Sequence, residues 1–285
     1  MPAQVEVATR TLVESLVRDD LTVDAAELYA VAGALGMTDQ QVRLCVRRLV
    51  ADGAFVQEGR GRRAVLRATA GTRHAIEPDV EFVRLMYAQD RGEAPWDGVW
   101  HLVAFAVPEA QRAVRDALRA TVVHLGGAPL QGGLYVAANA WEDLVADAAD
   151  RLGAAAHVTF LTSTDLNAGG VTDPVALAAR LWPLDELAAG HRRLADVASE
   201  RLERLRDPDA PGLAIAVELA AEFTRAMDPD PLLPPELLPR PWPGARARAV
   251  VAECWTLLLT RRDTTAPRLF RRYAEVLEEL TRRSG

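Results

Sequence analysis

Apolar residues recur at helical spacing through the first stretch of the chain. Leu12, Val13, Leu16 and Val17 predict a helix over residues 8–19. Ala25, Leu28, Tyr29, Ala32 and Leu35 predict a second over 24–35, with Asp24 as its N-cap. A third stripe is formed by Val42, Cys45, Val46, Leu49 and Val50. It begins behind Thr38 and Gln41, the two ends of a capping box, and runs into Gly53, which tolerates the left-handed conformation in which helices stop. Gly36-Met37 makes the tight turn into this helix. Its outer side is left to Gln40, Gln41, Arg43, Leu44, Arg47 and Arg48, with Arg43 and Arg47 one turn apart. The next segment, to Arg67, reads as a short hairpin. Its tip is Glu58-Gly59-Arg60-Gly61, surrounded by Arg60, Arg62, Arg63 and Arg67.

The period changes further along. From Ala68 to Pro95 the pattern predicts no more than a short helix or extended connector from Pro78 onward. Residues 99–107 are branched and aromatic, as in a strand. Pro108-Glu109 opens a helix to about Leu125, with Val114, Leu118, Val122 and Val123 inward, and Gly126-Gly127 ends it. Residues 128–131 and 134–138 predict two short strands joined by Gly132-Gly133. Asn139 is placed to cap a helix over 140–152, and residues 155–161 close the set as a strand. The order is β-α-β-β-α-β, a ferredoxin-like split βαβ unit.

The rest of the chain is helical. Asp173-Pro174 starts a helix to about Leu181. A long one over 183–206 turns Leu187, His191, Leu194 and Ala198 inward, and another over 213–227 carries Ile215, Leu219 and Phe223. The proline-rich run 228–244 forbids a long helix. Helices over 245–260, with Val250, Val251, Cys254, Trp255 and Leu258 inward, and from about Pro267, with Leu269, Phe270, Tyr273, Leu277 and Leu280 inward, complete the chain. The expected fold is α+β and multidomain. It comprises an N-terminal winged helix-turn-helix over 1–75, a connector over 76–95, a ferredoxin-like domain over 96–167 and a helical C-terminal domain over 168–285.

Charge sharpens the first of these. The whole chain carries −7, which argues against a general nucleic-acid coat protein. Residues 1–37 hold Arg10 and Arg18 against Glu6, Glu14, Asp19, Asp20, Asp24 and Glu27, a net of −4. Residues 38–73 hold Arg43, Arg47, Arg48, Arg60, Arg62, Arg63, Arg67 and Arg73 against Asp39, Asp52 and Glu58, a net of +5. A positive island on an acidic protein is the footprint that local phosphate binding needs. Arginine bonds guanine edges bidentately and glutamine adenine edges, while arginines on the hairpin suit phosphates. Thr38, Gln40, Gln41, Arg43, Leu44, Arg47, Arg48, Arg60, Arg62 and Arg63 are therefore the candidate DNA-binding residues, against a solvated basic face for Arg43 and Arg47 and a disordered tip for the hairpin arginines.

Other chemistry is sparse. The two cysteines, Cys45 and Cys254, have no metal spacing and form no disulfide framework, which fits a reducing cytosol. Nothing resembles a secretion signal or a run of roughly 18 apolar residues that would span a membrane, so a cytoplasmic protein is expected. Ser15, Ser163, Ser199 and Ser284 lie in no nucleophile-elbow context, and His74, His101, His124, His157 and His191 lack metal-ligand spacing. No metal, cofactor or catalytic residue is expected.

Three motifs resemble the PaaX family of bacterial transcriptional regulators across roughly residues 8–280. Val42-Arg43-Leu44-Cys45-Val46-Arg47-Arg48-Leu49-Val50, with Gly53 and the arginine-rich hairpin, is similar to the family's DNA-reading helix, with Val46 where a serine is usual. Trp96-Asp97-Gly98-Val99-Trp100-His101-Leu102-Val103, leading to Val107-Pro108-Glu109, resembles the opening of its central domain. Residues 230–239 with Trp242-Pro243-Gly244 resemble its C-terminal signature. The resemblance implies a dimeric repressor of a catabolic operon. It would bind a pseudo-palindromic double-stranded operator and be released by a small effector, acidic or of the acyl-CoA thioester type. Trp100, Trp182, His191, Arg192 and Arg193 are the candidate effector residues. For Trp100 and Trp182, packing in the core is the competing role, and for His191, Arg192 and Arg193 it is a helix face paired with nearby carboxylates.

Two other classes compete. One is a metal-dependent phosphodiesterase, because the central domain also resembles dimeric CRISPR-associated ferredoxin-like nucleases. Those carry an aspartate at the end of the first strand, where this chain has Ala106-Val107-Pro108. The other is an interaction scaffold that does not bind DNA, which the acidic residues 1–37 would suit.

Overall fold

The computed structural model describes residues 5–75 and 80–261. Two small antiparallel sheets and many helices make an α+β fold. In chain order the elements begin with α1 (Thr9–Ser15), β1 (Thr22–Asp24), α2 (Ala25–Ala34), α3 (Asp39–Ala51), β2 (Phe55–Glu58), β3 (Val65–Ala68), α4 (Ala70–Ala75) and α5 (Val80–Asp90). Next are β4 (Trp100–Phe105), α6 (Arg112–His124), β5 (Ala128–Gln131), β6 (Leu134–Ala137), α7 (Glu142–Arg151) and β7 (Val158–Ser163). The last are α8 (Pro174–Leu181), α9 (Leu184–Leu205), α10 (Gly212–Met227) and α11 (Pro243–Thr260). The helix expected from about Pro267 lies outside the described residues.

The chain forms two compact units. Among the described residues, one draws on those up to Arg84, on Arg192–Arg225 and on those from Gly244 onward. The other is made of Leu85–His191 and Ala226–Pro243.

In the first unit β3 is the middle strand of a sheet ordered β1-β3-β2, with Val23 opposite Leu66 and Phe55 opposite Ala68. Leu12, Val13, Leu16, Val17, Leu28, Val42, Leu49, Phe55 and Leu66 make its core, joined by Ala214 and Val217 of α10. Burying this apolar face drives the packing, at ~25 cal/mol per Å² of apolar surface removed from water. The first helix is shorter than its apolar spacing suggests. Asp20 accepts hydrogen bonds from the Thr22 amide (3.0 Å) and hydroxyl (2.6 Å), turning the chain after Arg18. The hydroxyl bond holds the Asp20 carboxyl below its ordinary range. Thr22–Asp24 then pairs with Val65–Arg67 as a strand that apolar periodicity does not predict, because it is only three residues long. The hairpin also differs from expectation. Glu58 and Val65 are the last paired residues, so the connection runs from Gly59 to Ala64 and includes a single 3-10 turn at Gly61–Arg63.

In the second unit the sheet is ordered β5-β6-β4-β7, every neighbouring pair antiparallel. Both faces of β4 and β6 are covered, while β7 at the edge is largely exposed. Val103, Tyr135 and Ala137 pack with Leu118 and Val122 of α6 and Val145 and Ala149 of α7. Trp100, Leu102 and Val136 pack on the other side with Leu177, Trp182, Leu187, Leu233 and Leu237. A strand buried on both faces reads as a continuous apolar run, which is why β4 shows no alternation. Gly126 holds a φ of +88°, and a Cβ there would meet Pro231 at 2.9 Å, so the turn after α6 needs glycine.

Three expectations in this unit are corrected. The first turn after Pro108 is 3-10 (Glu109–Gln111), and the α-helix starts at Arg112. The last strand begins at Val158, because Ala155–His157 is itself a 3-10 turn. Asn139 does not cap α7. Its side-chain amide donates to Leu232 O at 2.8 Å and accepts from Gln89 Nε2 at 3.2 Å, tying the proline-rich loop to the end of β6.

Candidate nucleic-acid interface

The third helix starts and stops as its sequence dictates. Gln41 N donates to Thr38 Oγ1 at 3.3 Å and Thr38 N to Gln41 Oε1 at 2.8 Å, which closes the capping box. At the other end Gly53, with φ +71°, donates to Val50 O and Ala54 N to Leu49 O, the paired bonds of a Schellman motif. Val42 and Leu49 are buried, with Cys45, Val46 and Val50 half-buried beside them. This leaves Gln40, Gln41, Arg43, Leu44, Arg47 and Arg48 exposed on the opposite side. Leu44 is 47% exposed, an apolar group set among polar ones. Thr38 and Gln41 spend side-chain atoms on the cap, so of the two only the Gln41 amide nitrogen is free to reach outward.

The arginines divide into two sets. Arg62, from the 3-10 turn, donates to Asp39 Oδ2 at 3.3 Å, with its guanidinium 5.2 Å above the Tyr29 ring. Arg43 Nε donates to Asp39 O at 3.3 Å, and its NH2 lies 3.9 Å from the same carboxylate oxygen. Arg67 pairs with Glu58 across β2 and β3 at 3.3 Å. Arg47, Arg48, Arg60 and Arg63 are exposed, and among the described residues none of them meets a carboxylate. An unpaired, hydrated guanidinium is free to exchange water for a phosphate or a base edge at no cost in broken ion pairs. Sequence reasoning missed Asp39 and Tyr29 as partners of these groups. Only the i,i+4 spacing of Asp39 to Arg43 was readable in advance.

The candidate effector residues lie elsewhere. Trp100 and Trp182 are buried and stacked, their ring centroids 6.3 Å apart, and Trp182 Nε1 donates to Gly126 O at 2.9 Å. His191 is fully buried. Its Nε2 donates to Asp230 Oδ2 at 2.7 Å, Asp230 Oδ1 accepts from Leu232 N at 2.8 Å, and Trp242 meets the imidazole edge-on. His191 Nδ1 has no hydrogen-bond partner. Arg192 is exposed. Arg193 is held by both oxygens of Glu222, at 2.7 and 3.2 Å, and that hydrogen bond and charge raise the Arg193 pKa. The structure thus brings Trp100 and Trp182 together, sets His191 against Trp242, and commits Arg193 to a glutamate. His101, on β4, donates through Nδ1 to Glu142 at 2.6 Å. Burial alone would raise the Glu142 carboxyl, but this bond and the nearby backbone amides leave it lowered. Asp230, Glu222 and Asn139 are polar partners that their own sequence neighbourhoods do not announce.

Among the described residues there is no group of three or more His, Cys, Asp or Glu able to hold a metal ion, and no helix is long and apolar enough to cross a membrane. Comparison with known proteins supplies the relationships. Residues 93–177 match the family model described as the PaaX protein central Cas2-like domain, and residues 182–268 match the PaaX-like protein C-terminal domain. No curated protein matches. One solved structure that is similar is the uncharacterized protein Rv0674 from Mycobacterium tuberculosis. It shares 24% identity with a TM-score of 0.52, over 90% of this chain and 97% of that one, a likeness of fold.

Proposed function

The chain belongs to the PaaX family, and from that premise we propose that it is a transcriptional regulator that binds double-stranded DNA. On this reading α1 to β3 is a winged helix-turn-helix, with α3 as the helix that enters the major groove and residues 59–64 as the wing. The order of three helices and a three-stranded sheet supports it. The strand order β5-β6-β4-β7 supports reading the second sheet as ferredoxin-like. The observation that carries the proposal is the set of exposed arginines that meet no carboxylate among the described residues, Arg47, Arg48, Arg60 and Arg63, on α3 and the hairpin of a chain whose net charge is −7.

The protein acts in the cytoplasm as a homodimeric repressor. Two copies of α3 read the halves of a pseudo-palindrome spaced by helical turns. A small acidic or acyl-CoA-type effector relieves repression of a catabolic operon, with a coupling of ~1–3 kcal/mol between effector and operator. The family resemblance supports that effector class.

The test is an anisotropy or gel-shift titration on the gene's own upstream region. The wild type is expected to retard it, and Arg43→Ala/Arg47→Ala to lose about 1–3 kcal/mol per base-reading arginine. Absence of retardation at low salt, or unchanged affinity in the double variant, rejects the assignment.

A further inference from the structure

The arginines of α3 and the hairpin carry the same charge but are not equally available. Asp39 makes the difference. It is the first residue of α3, its carboxylate is half-exposed, and it meets one arginine from its own helix and another from the 3-10 turn of the hairpin. Arg43 is folded back along α3 by a second bond to Asp39 O, and Arg62 is kept over Tyr29. Both guanidiniums stay about as exposed as free surface arginines, at 63% and 61%, so a duplex can still reach them.

We propose that Asp39 is a specificity-determining residue. It occupies Arg43 and Arg62 so that they are released only to an acceptor better placed than an arbitrary phosphate. This rests on the DNA-binding reading above and deepens it. The chemistry of the competing acceptors carries the argument. A phosphate approaching Arg43 or Arg62 must bring its negative charge against the Asp39 carboxylate, which already sits at the positive end of the helix, where an anion would otherwise be favoured. A guanine edge offers O6 and N7 to a guanidinium without that like-charge opposition. The carboxylate therefore penalises backbone contact, which every sequence offers equally, more than base contact, which one sequence offers best. Among the described residues Arg47, Arg48, Arg60 and Arg63 have no such guard, and those of them that meet phosphates supply the sequence-independent attraction.

The experiment compares wild type, Asp39→Asn, Asp39→Glu and Asp39→Asn/Arg62→Ala on the bound upstream fragment and on a scrambled duplex of equal length, between about 50 and 200 mM salt. Asp39→Asn is expected to bind the scrambled duplex several-fold more tightly. Its log–log salt slope should steepen by about one to two, since each newly neutralised phosphate contributes about 0.9. Affinity for the upstream fragment should rise less, so that selectivity falls. Asp39→Glu should restore wild-type selectivity, and adding Arg62→Ala should remove much of the gain. Unchanged scrambled-duplex binding in Asp39→Asn overturns the proposal, as does an equal change on both duplexes. A thermal melt of each variant separates these results from misfolding. If Asp39→Asn does not fold, the comparison passes to Asp39→Glu against Arg62→Ala in the wild-type background, where equal selectivity overturns the proposal. Wild type that binds neither duplex sinks the DNA reading itself, an outcome distinct from all of these.

Discussion

Two regions of the first unit are built from arginine, and they use it in opposite ways. On α3 and the hairpin, Arg47, Arg48, Arg60 and Arg63 are exposed and, among the described residues, meet no carboxylate. Between α9 and α10, Arg201 is 3% exposed and donates to Glu200 and Glu218, while Glu222, 2% exposed, holds both Arg193 and Arg225. Arg225 also donates to Glu6 O at 2.9 Å, so this ladder reaches the segment that precedes α1. The difference lies in the neighbours. Glutamates on the facing helix turn a guanidinium into a structural brace, and without them a guanidinium keeps its hydrogen-bond donors toward solvent. Counting arginines along the chain therefore does not locate an interface.

The largest expected effect tests the braced set. Arg201→Met removes a buried guanidinium and takes from Glu218 and Glu200 their bonds to it, leaving Glu218 with Arg204 at 3.8 Å. It should cost roughly 3 kcal/mol of folding stability, read from urea denaturation. A loss below about 0.5 kcal/mol would make Arg201 no different from a surface residue and erase the contrast. Next comes the unpaired set. Arg63→Ala should leave the urea midpoint within about 0.5 kcal/mol of wild type. On DNA it should lower the magnitude of the salt slope by about one while weakening all sequences alike. An unaltered slope would place Arg63 off the interface. The smallest effect concerns a carboxylate that serves the backbone rather than an arginine. The Asp20 carboxyl is lowered by the Thr22 hydroxyl bond, so the unfolded chain binds that proton more readily than the folded one. Its contribution is present above the unfolded value of about 3.9 and is lost as pH falls through the lower folded value. Asp20→Asn should flatten the acid side of the stability profile, measured by urea midpoints at neutral and acid pH. A profile that overlays wild type contradicts the role given to that turn.

How much could be read in advance depends on the distance over which each feature is built. The capping box at Thr38 and Gln41, the left-handed Gly53 and the Asp173 cap on α8 close within a few residues, and each stands as its local pattern requires. The inward positions Leu187, His191, Leu194 and Ala198 come from helical period alone and are all buried. The strand β1 was not legible. Three residues carry no period, and they pair only because β3, some forty residues later, presents a free edge. Asn139 shows the reverse error. It has a capping residue's chemistry ahead of a helix, but partners from α5 and the proline-rich loop claim its side chain.

Taken by itself, the chain determined the order of the longer helices and strands, the ends of α3, and a positive island between acidic stretches. These depend on backbone preference, apolar period and net charge, which act locally and sum along the sequence. Tertiary structure alone decided which charges remain available. Arg62 meets Asp39 across 23 residues and His191 meets Asp230 across 39. A hydrogen bond or ion pair requires two groups within a few ångströms, and only the packed fold brings such distant segments that close.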